Sequence, residues 1–543
     1  MRTTFFSLFL LFFGAVAAQQ KNAPLPNIIP EPVEMTSGQG QFTISRATRV
    51  YAADKEAEKS AKYFIDYFNR HFGCRLALAK KDAGEDLIVF SDRKNGETSG
   101  GYTLTVTPEA IRIEGNDGPG VFYGMQSLIQ MLPTRAGVLP IIGAVTIRDY
   151  PRFAYRGMHF DCVRHFFPVE YVKRYIDYLA LHKMNYFHWH LTDDQAWRLE
   201  MKSHPELTAQ GSTREGEILG LYPGTYRKRP YGGYYTQEQA KEIVEYAAER
   251  YITVIPEIDI PGHCMAVLAV HPEFSTQPDL EHKTAQTWGI YNKFNNVLAP
   301  KPEVFAFLTD VFSELCDVFP SQYIHVGGDE CAKKWWKESE QAQQFMKEHN
   351  LKDEEELQSY FIHYVGDVIA KKGKTTVGWN EILEGGLAPD AVVMSWQGTS
   401  GGITAAKSGH RVIMTPSGYS YYNNLQSRNQ RQITHQGYLP LEKVYKYDII
   451  PAELTPEQAS NIIGAQACLW TEYFPTTGKV EMALFPRLSA LAENVWSQPE
   501  KKDWERFLRK MPDQFERYDL WGARFSEDFF RMYDLPYYDP TTR

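Results

Sequence analysis

Residues 325–336 read HVGGDECAKKWW. The apolar start reads as a buried strand, and the glycine pair as a tight turn or a close approach by a ligand. The turn delivers two adjacent acids, Asp329 and Glu330. Paired carboxylates can cleave a bond between sugars, but they face each other across it, about 5–5.5 Å apart in retaining enzymes and roughly 6.5–9.5 Å apart in inverting ones. Neighbours along an extended chain point to opposite sides. If both acids act, the second needs a different duty. A plainer reading makes Asp329 a helix N-cap with Glu330 in the first turn.

Working outward, the stretch is one of eight short apolar runs after Tyr155. They are 155–162 (YRGMHFDC), 185–193 (NYFHWHLTD), 252–260 (ITVIPEIDI), 323–330 (YIHVGGDE), 375–383 (TTVGWNEIL), 391–398 (AVVMSWQG), 411–419 (RVIMTPSGY) and 462–473 (IIGAQACLWTEY). Helical spacing marks 168–184, where Val172, Tyr175, Ile176 and Leu179 form one stripe, and also 236–251, 302–319, 356–372 and 481–497. The helix after the fifth run is the weakest. Strands alternating with helices imply a parallel sheet, and eight such units predict an α/β fold, a (β/α)8 TIM barrel over 151–500. Ahead of it, 24–150 mix strand-like runs at 41–45, 86–91, 102–107 and 110–114 with helices at 56–72 and 121–132, which predicts a small α+β domain. Residues 501–543 read as a helical, Tyr-rich tail packed on the barrel.

The totals narrow the function. The chain has 543 residues, 23% of them charged, with a formal charge of −9, which argues against a nucleic-acid partner. The start, MRTTFFSLFLLFFGAVAAQQ, has one cation, an apolar run and then small residues. That is the layout of a signal peptide over 1–18, so a soluble, exported protein, periplasmic or secreted, is expected. No later stretch approaches a membrane span. The six cysteines, Cys74, Cys162, Cys264, Cys316, Cys331 and Cys468, form no C-x-x-C pair and read mostly as buried thiols.

The chemically capable residues gather where the predicted strands end, the face on which such barrels carry their sites. Asp161 and Arg164 sit at the C-terminal end of the first strand or just beyond it, as do Asp193 at the second, Asp259 and His263 at the third, and Asp329 and Glu330 at the fourth. Trp379, Trp396, Tyr421 and the Trp470–Glu472 pair follow the later ones. His188 and His190, two apart on a strand, point to one side and could bind a metal with His263, His325 and Asp329. They also read as satisfied core histidines. Pro261–Gly262 turns the chain so that His263 can aim back over the barrel mouth, where Asp193 can orient it. Three Trp residues converging there could form an apolar box that suits a methyl group better than a bare hydroxyl.

Together, RGMHFDCVRHF, NYFHWHLTDDQAWR, PEIDIPGH and HVGGDE resemble a family-20 glycoside hydrolase, a β-N-acetylhexosaminidase, over about residues 24–500. The resemblance implies Glu330 as general acid/base and Asp329 as the residue orienting the substrate's acetamido group. It further implies a hydrogen bond from Tyr421 to the acetamide oxygen, and Trp379, Trp396 and Trp470 around the acetyl group. Arg164 and Glu472 would hold sugar hydroxyls, and Asp193 and His263 would support Glu330. No cofactor and no metal are implied, and the partner is a glycan or glycoconjugate. The nucleophile would come with the substrate, one of the exceptions to the two-carboxylate scheme. Asn423 stands two residues after Tyr421, where many bacterial relatives resemble Tyr-x-Asp; an amide there would tolerate a 6-sulfate that a carboxylate would repel. Two other readings compete: a metal-dependent hydrolase using His188 and His190, and a catalytically silent sugar-binding protein, for which the Asp329–Glu330–Tyr421 set would be superfluous.

Overall fold

Strand-forming runs before residue 150 build one six-stranded sheet: β1 (Glu34–Thr43), β2 (Arg49–Ala52), β3 (Leu87–Asp92), β4 (Tyr102–Val106), β5 (Ala110–Gly115) and β6 (Ile141–Asp149), in the order β1-β6-β4-β5-β3-β2. The computed structural model describes residues 24–535 except 74, 83, 94–97, 136–137, 222–223, 287–296 and 431–432. The expected export segment at 1–18, the end of the tail and Cys74 lie outside the described residues. Two strands were not legible in the sequence. β2 has only four residues, and the pairing of β6 with β1 shifts register between Ser37 and Gln41. Helices Lys55–His71 and Gly118–Met131 bury their apolar sides, each N-capped by an aspartate, Asp54 and Asp117, that accepts from a first-turn N–H.

All eight later runs become parallel strands: β7 (Tyr155–Asp161), β8 (Tyr186–His190), β9 (Thr253–Ile260), β10 (Tyr323–Gly327), β11 (Thr375–Trp379), β12 (Val392–Ser395), β13 (Val412–Met414) and β14 (Ile462–Ala467). Each pairs with its sequence neighbour, and β14 pairs with β7 to close the barrel. Two helix expectations are corrected. After β11 there is only the 3-10 turn Asn380–Leu383, and Gly385 and Gly386, at φ 71° and 110°, carry the chain away from helical backbone. The helix expected over 481–497 is two, Thr477–Leu484 and Arg487–Trp496, because Pro486 between them has no N–H to continue the ladder.

The sheet is tied to the barrel through buried charge. Lys183 Nζ donates to the Tyr102 hydroxyl (2.9 Å) and lies 3.1 Å from Asp149 Oδ2, which also accepts from Trp496 Nε1 at 3.0 Å. The tail helix Trp504–Leu520 touches more than the barrel. Tyr518 meets Ser489 at 2.6 Å, while Arg517 donates to the carbonyls of Asn27 and Gln130 at 2.6 and 2.7 Å. Five cysteines are buried free thiols. Among the described residues no helix is long and apolar enough to cross a membrane.

The barrel interior is layered. Ile255, Val377, Val392, Met394 and Ile413 form an apolar plug with Tyr155, whose hydroxyl donates to Gln466. A polar layer of His159, His188, Glu257 and His325, all fully buried, shares the interior with it. The end of β10 then turns sharply. Gly327 and Gly328 have φ of 68° and 91°, and Glu330 follows at 46°. A Cβ on Gly327 would lie 1.8 Å from Asp259 Oδ1, so no other residue fits. The next helix, Lys334–Lys337, begins after Lys333, so Asp329 caps nothing. Gly327→Ala is expected to lower stability by about 3 kcal/mol through the overlap and the left-handed backbone. An unchanged urea-unfolding midpoint would contradict this.

Candidate active site

A cavity of about 590 Å³ opens beyond the C-terminal ends of the strands, a size suited to a small ligand. Arg164, His263, Asp329, Glu330, Trp396 and Tyr421 line it, as do Asn423, Trp470 and Glu472. Trp379, expected around the ligand, does not line it, and Asp193, expected to support Glu330 through His263, stands one layer back. Asp193 is buried behind His263, and Trp379 lies beneath Trp470 with ring centroids 5.9 Å apart.

The loops are set by their carboxylates. Asp161, at the end of β7, accepts from the backbone N–H groups of Val163, Arg164 and Thr471, pinning the loop after β7 to the segment after β14. That fixes Arg164, whose guanidinium reaches Asp193 Oδ2 at 2.7 Å and lies 5.0 Å above the Trp470 ring. His263 sits in left-handed backbone, φ 44°, on the turn after β9. Its Nδ1 is 3.1 Å from both Asp193 Oδ1 and Asp194 Oδ2, while its Nε2 faces Glu330 Oε2 at 3.4 Å and Asp329 Oδ2 at 3.7 Å. Burial disfavours a charged His263, but Asp193 and Asp194 outweigh it and raise its pKa well above the usual value. Asp193 is likewise held ionised against burial by Arg164 and His263. A cation is thereby presented between the two neighbouring acids.

Asp329 is more enclosed than Glu330, with side chains 13% and 22% exposed. Burial raises the Asp329 carboxyl, His263 opposes that, and a hydrogen bond with Asp259 opposes it too. The shared proton belongs on Asp259, which burial and the Asp329 charge push well above the carboxylate range. Asp259 Oδ1 accepts from Gly328 N–H at 3.1 Å, so the same side chain fixes the glycine turn. Glu381, just after β11, accepts from Trp396 Nε1 at 2.9 Å, and burial with the nearby Asp329 pushes it up to about 8. Asp329 Oδ1 has no hydrogen-bond partner among the described residues.

The opposite wall is aromatic. Trp396 and Tyr421 stack with centroids 5.9 Å apart, and Tyr421 meets Trp470 at 6.2 Å. Tyr421 is located by main-chain bonds between the segments after β13 and β14, Tyr422 N to Cys468 O and Cys468 N to Ser420 O, both 2.8 Å. Burial raises its phenol well above the usual value, so the hydroxyl stays a donor. Glu472 lies 3.4 Å from His435 Nε2; burial is outweighed by His435 and Arg164, which bring its pKa down to about 2. Glu472 Oε2 and Asn423 Oδ1 are also buried without partners among the described residues.

The histidines of HWH converge on Glu257, an acid placed inside the apolar run of β9. Glu257 Oε2 is 2.6 Å from His190 Nδ1 and 3.1 Å from His188 Nε2, and Oε1 accepts from Trp379 Nε1 at 2.9 Å. His190 Nε2 meets Asp193 Oδ2 at 2.9 Å. Burial works against a charged ring, yet Glu257 and Asp193 push His190 up to about 10. His190 thus bridges Glu257 and Asp193 and orients both carboxylates, while burial brings His188 down to about 4 and keeps its ring neutral beside Glu257. Sequence reasoning passed over Glu257, Asp194, Glu381 and His435 as site residues, and placed Asp259 at the site without a role. The signal for Glu257 was an acid in the middle of a largely apolar strand, two residues before Asp259.

If Asp259 carries the proton, its amide isostere should replace it. Asp259→Asn is expected to keep kcat/KM within about threefold at neutral pH, whereas Asp259→Leu, with no donor, should lose about 100-fold. Equal losses in steady-state assays of the two folded variants would place the proton elsewhere.

The model for "Glycosyl hydrolase family 20, catalytic domain" matches residues 153–499, and that for "Glycosyl hydrolase family 20, domain 2" matches 25–150. A β-hexosaminidase of Porphyromonas gingivalis is 40% identical over 533 residues, 95% of this chain and 67% of that one. The solved family-20 exo-β-N-acetylglucosaminidase of Vibrio harveyi, in complex with N-acetylglucosamine, is similar with a TM-score of 0.82 at 31% identity, over 93% of this chain and 80% of that one. The β-N-acetylhexosaminidase of Bacteroides fragilis is similar with a TM-score of 0.79 at 28% identity, over 94% and 99% of the two chains. With both family models matched in order and the motif acids gathered at one barrel mouth, the chain belongs to glycosyl hydrolase family 20.

Proposed function

We propose that the chain is an exported, exo-acting β-N-acetylhexosaminidase that removes terminal non-reducing β-linked N-acetylglucosamine or N-acetylgalactosamine with retention. The observation that carries this reading is the unpartnered Asp329 Oδ1, an acceptor buried beside an aromatic wall. An amide N–H supplies the donor it lacks, and the attached methyl belongs against indole rings. An ordinary sugar hydroxyl offers the first feature without the second.

In the proposed reaction the acetamide oxygen attacks the anomeric carbon while Glu330 gives its proton to the departing glycosidic oxygen. The products of that step are the free aglycone and a bound oxazolinium ion. Asp329 accepts from the ring N–H, where positive charge develops, and Tyr421 steadies the acetamide oxygen before it attacks. Glu330, now a carboxylate, takes a proton from water as its oxygen adds to the same carbon; the oxazolinium opens and the configuration is retained. Glu472 and Arg164 would take sugar hydroxyls, with Asn423 near the outer ones. His263, held in turn by Asp193, faces both acids.

Glu330→Gln is expected to lower kcat on aryl N-acetyl-β-glucosaminide by about 10²–10⁴-fold. Wild type should leave the non-acetylated glucoside essentially untouched; comparable hydrolysis of the two would refute substrate assistance. At the outer rim, Asn423→Asp should depress turnover of a 6-sulfated substrate about tenfold more than that of the plain one, by placing like charges together. An unchanged ratio would remove Asn423 from specificity.

A further inference from the structure

Outside the cavity, one tripeptide occurs twice: His204-Pro205-Glu206 and His271-Pro272-Glu273. In each copy His Nδ1 faces the glutamate two residues on, at 3.3 Å and 3.0 Å. The copies meet through Glu206, whose Oε1 also lies 3.1 Å from His271 Nε2. One ligand atom from each of His204, Glu206 and His271 falls within 4.8 Å of the others. The rings are held in place by aromatic neighbours. His271 stacks on Phe274 at 4.7 Å, and His204 meets Phe307 edge-on at 4.9 Å.

We propose that His204, Glu206 and His271 bind a divalent transition-metal ion of the Zn²⁺ class. Two features go beyond ordinary ion pairing. First, the outward nitrogen of each ring also faces a carboxylate: His204 Nε2 is 3.3 Å from Asp310 Oδ2, and His271 Nδ1 is the atom facing Glu273. A metal-bound histidine characteristically gives its second N–H to a carboxylate in this way, which fixes tautomer and ring angle. Second, Glu206, Glu273 and Asp310 together outnumber the two rings, so the cluster stays negative even with both rings protonated. The neighbouring cation Lys301 has its Nζ on the carbonyls of Glu273 and Ser275.

The spacing fits. Tetrahedral Zn²⁺ with bonds of about 2.0–2.2 Å holds its ligand atoms about 3.3–3.5 Å apart, against 3.3 Å and 3.1 Å for the two approaches to Glu206 Oε1. The ligand side chains are 17–30% exposed, which leaves a path for the ion and room for a water as fourth ligand. Two nitrogens and one carboxylate favour Zn²⁺, Co²⁺ or Ni²⁺ over Ca²⁺ or Mg²⁺.

The site joins two loops of the barrel mouth. His204 follows the loop that carries Asp193 and Asp194, and His271 follows the turn that carries His263. Those loops already touch where Met265 N–H donates to Asp194 Oδ1 at 3.2 Å. A bound ion would clamp them from outside, a structural role that does not depend on the reaction proposed above.

The test uses the metal-stripped full chain with Zn²⁺, and with Co²⁺ as a visible reporter. Wild type and the distant control His349→Gln should bind about one Co²⁺ with the absorption of a four-coordinate site and gain about 3 °C in Tm with excess Zn²⁺. His204→Gln and His271→Gln should weaken binding at least about tenfold and lose the gain. Glu206→Gln, which leaves both rings in place, covers the case in which a histidine variant folds poorly. Absence of the gain in wild type, or its persistence in Glu206→Gln with an unchanged Co²⁺ spectrum, overturns the proposal.

Discussion

A carboxylate with no access to water has to be paired, and Glu257 at the heart of the barrel is the carboxylate on which the site depends. Its two oxygens are divided. One holds the Trp379 indole, and the other holds His190. His190 passes the constraint to Asp193, Asp193 passes it to Arg164 and His263, and His263 faces both Asp329 and Glu330. The signs alternate along this chain, so each group is stabilised only by its neighbours. Removing a member leaves the next charge buried and uncompensated, which costs several kcal/mol and frees a rotamer at the mouth. A residue deep beneath the cavity therefore helps fix the geometry of residues that line it.

The backbone supplies the second constraint. Side chains on a regular strand alternate, and two successive acids on β10 would face apart across the barrel wall. The chain leaves strand geometry first. Gly327 and Gly328 take positive φ, and Glu330 itself is left-handed at 46°, like His263 at 44° across from it. Such backbone in non-glycine residues costs of order 1–3 kcal/mol each and persists where surroundings enforce it. Here the enforcement comes from Asp259, bonded to the Gly328 N–H, and from Gln358, which donates to the Gly328 carbonyl at 2.7 Å.

The barrel was legible because parallel strands buried on both faces read as continuous apolar runs, and their spacing leaves little freedom in assembly. Less legible were features that exist only after assembly. A twelve-residue connection after Trp379 reads much like the others until Gly385 and Gly386 are seen to turn it, and the break at Pro486 interrupts an apolar pattern that continues through it. At the site, the residues at strand ends could be picked out because that face collects function. Glu257 and Glu381 have significance only through their partners. Glu257 matters because four histidines surround it, and Glu381 because it meets Trp396 from another loop. Asp194 reaches His263 at the same distance as Asp193, so sequence order alone could not rank the two.

Adjacency of Asp329 and Glu330 also has a chemical logic. Two acids with the same task would need similar surroundings, and one residue of separation cannot provide both a shared environment and opposed directions. Different surroundings come readily from one turn. Asp329 is pressed toward Asp259, Glu381 and the aromatic wall, where a fixed charge can stabilise another charge without being screened by water. Glu330 lies further out, in the position that the proposed proton transfer to a leaving group requires. His263 stands between them and faces both, whereas of the two acids Asp259 is bonded to Asp329 alone. The asymmetry that the proposed reaction asks of the two acids is therefore built by the residues behind the pair, and the pair itself needs only to be turned the right way.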